Sequence, residues 1–221
     1  MNFKEELIKE LKANSNREIA IPMENYMKNN FPFLGIKTEK RRAIFKAVYE
    51  KHKSEIKLNY REITWQLYQE KDREIHQCAI DLIQKEIKKK FIIEDIQLIE
   101  KLIITNSWWD SVDTIAKYLV GGYLQQFPNE TLRTIERFSN SENMWLNRTA
   151  ILFQLSYKEK TNFELLMAEC EKHKHSSEFF IQKAIGWALR DYSRFNPNGV
   201  KNYVESTNLK PLSQREALRL L

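Results

Sequence analysis

Glycine, proline and cysteine are all scarce here: 221 residues include five glycines, five prolines and two cysteines. So few turn formers, beside many Leu, Ile, Lys, Glu and Gln residues, argue against a sheet-built fold and predict an all-α protein. Cys78 and Cys170 match no metal or redox spacing and read as two thiols in a reducing cytosol. The four histidines show no zinc-ligand spacing, so no metal is expected, and His173 and His175 are expected at a solvated helix end or loop. No run approaches the ~20 apolar residues that span a bilayer. The N-terminus lacks the apolar core of a signal peptide, so a soluble, cytoplasmic protein is expected.

The chain is 42% hydrophobic and 30% charged, enough to bury a sizeable core within one domain, 1–221. Its net charge of +6 favours a polyanionic partner, although Lys-rich helices also serve simply to be solvated. Helical periodicity marks segments at roughly 2–13, 16–30, 38–53, 59–69, 72–89, 94–105, 108–126, 130–138, 144–156, 161–173, 178–194, 198–206 and 213–221. Stops fall at Phe31–Gly35, Phe127–Asn129, Ser139–Ser141 and Asn196–Gly199. A small residue beside an aliphatic one recurs at Ala43, Ala79, Ala116, Ala150, Ala184 and Ala217, with spacings of 36, 37, 34, 34 and 33. That period fits helix-pair repeats of the HEAT kind, in which an alanine lets the second helix of each pair approach its neighbour closely. The expected architecture is an α-α superhelix, a solenoid of HEAT-like repeats with a concave basic groove. A globular helical bundle is the alternative.

Asn106-Ser-Trp-Trp-Asp-Ser-Val-Asp113 is the most unusual stretch, with two tryptophans and two carboxylates at an apparent helix start. Asn106 or Ser107 is the expected N-cap. Trp108, Val112, Ile115 and Leu119 fall on one stripe and read as core, which leaves Trp109 and Asp113 as an i,i+4 pair beside it. On a later helix Lys183, Trp187, Arg190 and Arg194 form a stripe of cations around an indole, and Arg148 lies off the apolar stripe of its own helix. Cations interleaved with aromatics suit a nucleic-acid surface if these helices line one face. Each residue also has a plainer use. The tryptophans pack in cores, Arg148 and Arg190 make surface ion pairs, and Asp113 pairs with Lys117 at i,i+4. Arg41 and Arg42 either contact phosphate or solvate their helix.

With these residues in view, the chain closely resembles the AlkD-like DNA alkylation repair glycosylases, which are built of HEAT-like repeats. The resemblance spans nearly the whole chain and is strongest over Tyr26–Ile36, Ser107–Asp113, Trp145–Leu155 and Phe179–Arg190. It puts the catalytic aspartate on Asp113, the lesion-flanking tryptophans on Trp109 and Trp187, and the functional arginine on Arg148. Arg190 matches a region near the DNA backbone, as does the Lys37–Arg42 segment with Thr38 and Arg42; Lys183 and Arg194 share the stripe of Arg190. Glu39 departs from the pattern, since many relatives have proline there, which puts the local phosphate contacts in doubt. The chain stops at Leu221 within an apparent helix, and repeat arrays usually finish in a polar cap, so a further C-terminal tail is expected.

The resemblance implies monofunctional hydrolysis of the N-glycosidic bond of cationic purines of the 3-methyladenine or 7-methylguanine type. The lesion would stay stacked in duplex DNA, with no cofactor, no obligate protein partner and a monomeric enzyme. In that chemistry Asp113 would stabilise the developing oxocarbenium sugar, Trp109 and Trp187 would pack beside the lesion, and Arg148 and Arg190 would anchor phosphates. Two other functions compete: a non-catalytic module for distorted or branched DNA, and a protein-interaction scaffold, which the cationic stripe disfavours.

Overall fold

A computed structural model describes residues 1–221, all of them helix, turn or loop without a strand. The chain forms two compact units, Met1–Lys90 and Phe91–Leu221. The first carries α1 (Phe3–Ala13), α2 (Arg17–Tyr26), α3 (Thr38–Lys51), α4 (Lys53–Tyr68) and α5 (Arg73–Ile87). The second carries α6 (Asp95–Ile104), then α7 (Trp109–Thr114) continued through a π-helical segment, Ile115–Val120, into α8 (Gly121–Gln126). Next come α9 (Thr131–Ser139), α10 (Met144–Leu152), α11 (Phe163–His173), α12 (Phe179–Ser193), α13 (Pro197–Ser206) and α14 (Pro211–Ala217). No helix is long and apolar enough to cross a membrane.

Local chemistry explains where many of these helices begin. Asparagine side chains accept from first-turn amides at α1, α2, α10, α11 and α13, and Asn2 with Glu5 completes a capping box. Proline opens α13 and α14, where its missing N–H costs nothing. The boundaries differ from the periodicity in instructive places. The 16–30 segment stops at Tyr26, because Lys28 and Asn29 turn left-handed. The helix expected from 59 starts at Lys53, where His52 spans Glu55 and Glu6 through its two ring nitrogens.

The repeat is visible in packing. Within the second unit the π segment, α10, α12 and α14 stand side by side in that order, backed by α6, α9, α11 and α13 respectively. In the first unit α3 packs on α5. Hydrogen bonds between side chains or backbone one repeat apart recur at separations of 33 to 37 residues: Tyr49 to Glu86, Arg148 to Asp113, Tyr157 to Gly121, Ser156 to Asp191 and Lys183 to Glu216. Five marker alanines, Ala79, Ala116, Ala150, Ala184 and Ala217, are buried. Ala43 is exposed, so it does not serve the close approach assigned to it; Arg41 and Phe45 face inward on that helix instead. His173 is also turned inward, its Nε2 2.9 Å from Ser139 Oγ, while His175 is exposed as expected.

In the first unit a buried carboxylate organises the loop before α3. Glu74, 1% exposed, accepts from the backbone amides of Leu34 (2.9 Å), Gly35 (2.9 Å) and Ile36 (3.0 Å). Gly35 has φ +80°, and a Cβ there would lie 1.9 Å from the Asn16 carbonyl oxygen, so only glycine lets this loop seat against the start of α2. Glu74→Gln replaces one acceptor oxygen by a donor that faces amides. The expected result is a loss of about 2–4 kcal/mol of stability, read from the urea midpoint of the purified protein. An unchanged midpoint would show that the loop is held by other contacts.

Candidate functional site

The turn into α7 sets the direction of everything that follows. Asn106 adopts a left-handed backbone (φ 48°), and the Ser107 hydroxyl donates back to the Ile103 carbonyl at 2.6 Å. Both residues therefore finish α6, and neither caps α7 as expected. The N-cap is Trp108 itself, in extended conformation, with no side chain capping the first amides. Trp108 precedes the helix and is partly buried, whereas Val112, Ile115 and Leu119 of the stripe are fully buried. Its ring lies against Trp145 and Phe180, at centroid distances of 5.8 and 5.2 Å. Asp110 sits in the first turn, where a carboxylate favours the helix N-terminus.

Trp109 opens α7, half-buried, and Asp113 follows one turn later. Immediately beyond, the helix widens. The Gly121 amide donates to the Ala116 carbonyl five residues back, a π-type bond that inserts an extra residue into the turn. Across the wide segment the buried face is kept: Val112 before it, Ile115, Ala116, Leu119 and Val120 within it, and Tyr123 and Leu124 after it are all buried.

Asp113 and Arg148 meet through two hydrogen bonds. Arg148 Nε donates to Asp113 Oδ1 at 2.7 Å and Nη2 donates to Oδ2 at 2.8 Å, a planar two-point pairing. Its third nitrogen, Nη1, donates to the backbone carbonyl of Phe180. One guanidinium thus ties α7, α10 and the first turn of α12 together. The side chains are only 4% exposed for Arg148 and 12% for Asp113. Burial pushes the Asp113 carboxyl above its ordinary value, and the Arg148 guanidinium opposes that push.

This geometry revises two expectations. The family resemblance assigns Arg148 to a DNA phosphate, with a surface ion pair as the plainer use. Its buried guanidinium is committed to Asp113 and Phe180, so it neither meets solvent nor waits for an anion. Lys117 is not the partner of Asp113; the cation one repeat away takes that place.

On α12, Lys183, Trp187 and Arg190 occupy one face, and Arg194 follows as the exposed C-cap. Trp187 is half-buried against the core cluster that contains Ile185, Ala188 and Ala217. The two cations beside it are not free. Lys183 Nζ lies 2.8 Å from Glu216 Oε1, and Arg190 Nη1 lies 2.7 Å from Glu216 Oε2. Glu216 is the residue that sequence reasoning missed. It immediately precedes the marker Ala217 as Lys183 precedes Ala184, so the repeat register alone puts the two on equivalent positions of neighbouring helices.

Thr38 and Arg42 belong to the first unit. Thr38 is the exposed first residue of α3. Arg42 is also exposed, with Nε 3.9 Å from Asp81 Oδ2. Arg41 neither contacts solvent nor awaits phosphate: it is buried and donates to Asp81 at 2.6 Å.

The comparisons with known proteins agree in kind. The family model described as DNA alkylation repair enzyme matches residues 7–221. A solved structure described as a predicted DNA alkylation repair enzyme from Enterococcus faecalis is 34% identical over 94% of this chain and 96% of its own, with a TM-score of 0.83. AlkD2 from Streptococcus mutans shares the fold at 17% identity, over 84% of this chain and 88% of its own, with a TM-score of 0.59. The smu.31 protein of Streptococcus mutans UA159 does so at 17% identity, over 82% and 96%, with a TM-score of 0.57. No curated protein matches the chain.

Proposed function

The chain belongs to the DNA alkylation repair enzyme family, and on that premise we propose that it is a monofunctional DNA glycosylase. Its substrates are cationic alkylated purines, of the 3-methyladenine or 7-methylguanine type, in duplex DNA. The observation that carries this reading is Asp113, a largely sheltered carboxylate whose two oxygens both accept from Arg148.

An alkylated purine cation is already a good leaving group, so the costly feature of bond breaking is the positive charge growing on the sugar. A carboxylate whose direction is fixed before the substrate arrives stabilises that charge without reorganising, and in a site sheltered from water its effect is larger. Asp113 has that role. It also orients the water that attacks C1′. The electron pair of the C1′–N bond leaves with the base and cancels its charge. The water oxygen bonds to C1′ and passes a proton to the Asp113 carboxylate, which hands it on to solvent, leaving an abasic site and a neutral free base. Nothing in this scheme requires a lysine nucleophile, so the strand stays intact, and no extrusion of the base from the stack is invoked.

Trp109, one turn before Asp113, and Trp187 on α12 act as the walls that pack on the deoxyribose beside the lesion, their π faces favouring the cationic centre. Arg148 is a positioning residue for Asp113. Phosphate contacts fall to Lys183, Arg190 and Arg194 in the second unit and to Thr38 and Arg42 in the first. The enzyme works as a monomer in the cytoplasm, as one functional domain and without a cofactor.

Free base released from duplex DNA containing 7-methylguanine, measured by chromatography, tests the proposal. Time-dependent release is the expected result. Tight duplex binding without release would instead assign the chain to non-catalytic recognition of distorted DNA.

A further inference from the structure

Glu216 is the one acidic side chain drawn into the cationic stripe of α12, and the packing there is built to hold it. A Cβ on Gly186 would lie 2.4 Å from Glu216 Cβ and 2.9 Å from the Ser213 carbonyl oxygen. Glycine at 186 therefore lets α14 close on α12 at the level of Trp187. The Glu216 side chain is 12% exposed, against 37% for Lys183 and 21% for Arg190. The carboxylate thus lies beneath the two cations, and they retain the solvent-facing side. The Lys183 hydrogen bond, followed by Arg190, holds the Glu216 carboxyl below its usual range, so it is ionised at neutral pH. Together the three groups carry one net positive charge where Lys183 and Arg190 alone would carry two.

We propose that Glu216 is a built-in counter-anion. It satisfies Lys183 and Arg190 from below as a phosphate would from above, and so sets how hard α12 grips the DNA backbone. The inference rests on the reading of Lys183 and Arg190 as backbone contacts. Phosphate attraction acts on any duplex, damaged or repaired, and is steeply salt-dependent. A grip weakened by one charge lets the abasic product leave. A second unopposed cation prolongs its stay, so repeated turnover slows relative to the first.

The test uses the full chain and a fluorescent undamaged duplex, with affinity measured across a salt series. Glu216→Gln, which keeps the side-chain shape, is expected to tighten binding about three- to tenfold and to steepen the log–log salt slope by about 0.9, one further phosphate neutralised. Lys183→Gln shifts both quantities the other way, and the Lys183→Gln/Glu216→Gln double variant returns them toward wild type because the net charge is restored. Glu205→Gln removes the same charge from exposed positions of α13, where Glu205 is 60% exposed, and leaves the slope unchanged. With 7-methylguanine duplex, Glu216→Gln is expected to slow multiple turnovers relative to the first at low salt and to recover as salt rises. Weaker or equal binding by Glu216→Gln, or an equal effect of Glu205→Gln, overturns the proposal. Because Lys183→Gln leaves α14 intact, a folding defect in the Glu216 variant does not remove the test. Tightened binding in a protein that releases no base would leave this inference standing and sink the glycosylase reading; base release without a binding change would do the reverse.

Discussion

Asp113→Asn is expected to slow release of 7-methylguanine by about 10²–10³-fold while duplex binding stays near wild type. The size follows from losing a fixed negative charge at the point where positive charge develops, an interaction stronger in the transition state than in the bound substrate. Binding survives because the lost group is acidic and 12% exposed, so a polyanion gains nothing from its presence. Asparagine keeps one oxygen that accepts from Arg148 but turns an amide donor toward the other Arg148 donor, so the tie between α7 and α10 is weakened while one of its two bonds remains. Single-turnover release and duplex affinity, measured on the same protein, check both halves. Wild-type release by the variant would remove Asp113 from the mechanism, and loss of binding with loss of activity would make its role structural.

Arg148→Met is expected to produce a loss of comparable size at neutral pH, but one that reverses as pH rises. The guanidinium is what opposes the upward push of burial on the Asp113 carboxyl. Without it the carboxyl pKa rises further, and less of the group is ionised at pH 7. The acid limb of the pH–rate profile therefore moves to higher pH, and raising the pH restores part of the activity. Stability runs in the opposite direction. A carboxyl whose folded pKa is raised contributes stability that is present below its unfolded pKa and lost as pH rises through the folded value. The variant should thus unfold more easily at the alkaline pH where it is most active. Duplex affinity and its salt slope are expected to stay at wild-type values, since the buried guanidinium holds no phosphate. A defect equal at every pH would mean that Arg148 only supports packing. A flattened salt slope would return it to the DNA backbone.

These two residues show where the sequence is legible and where it is not. Trp109 and Asp113 stand out because their spacing on a helix of 3.6 residues per turn separates them from the apolar stripe, and spacing is a property of the chain. Their partner is not. Lys117 is four residues away and Arg148 thirty-five, and only the stacking of the π segment on α10 decides between them. The same holds for Lys183 and Arg190. The sequence shows two cations around an indole, and the packed structure adds Glu216 beneath them.

Composition and periodicity by themselves determined an all-helical chain, its division into pairs with a period near 35 residues, and most of the helices. These are local consequences of propensity and of which positions repeat in apolar character. They also placed Trp108 one residue too deep, on a helix whose first turn it only precedes, because a local pattern cannot see Ser107 turning back to α6. The tertiary structure alone decided which charges are buried, which cancel and which remain. Burial depends on what a neighbouring repeat covers, and a charge one repeat away is invisible to any window that reads a single helix. That is why Asp113 was recognisable as a candidate from eight residues, whereas the arginine that holds it in place became intelligible only when α7, α10 and α12 were seen together.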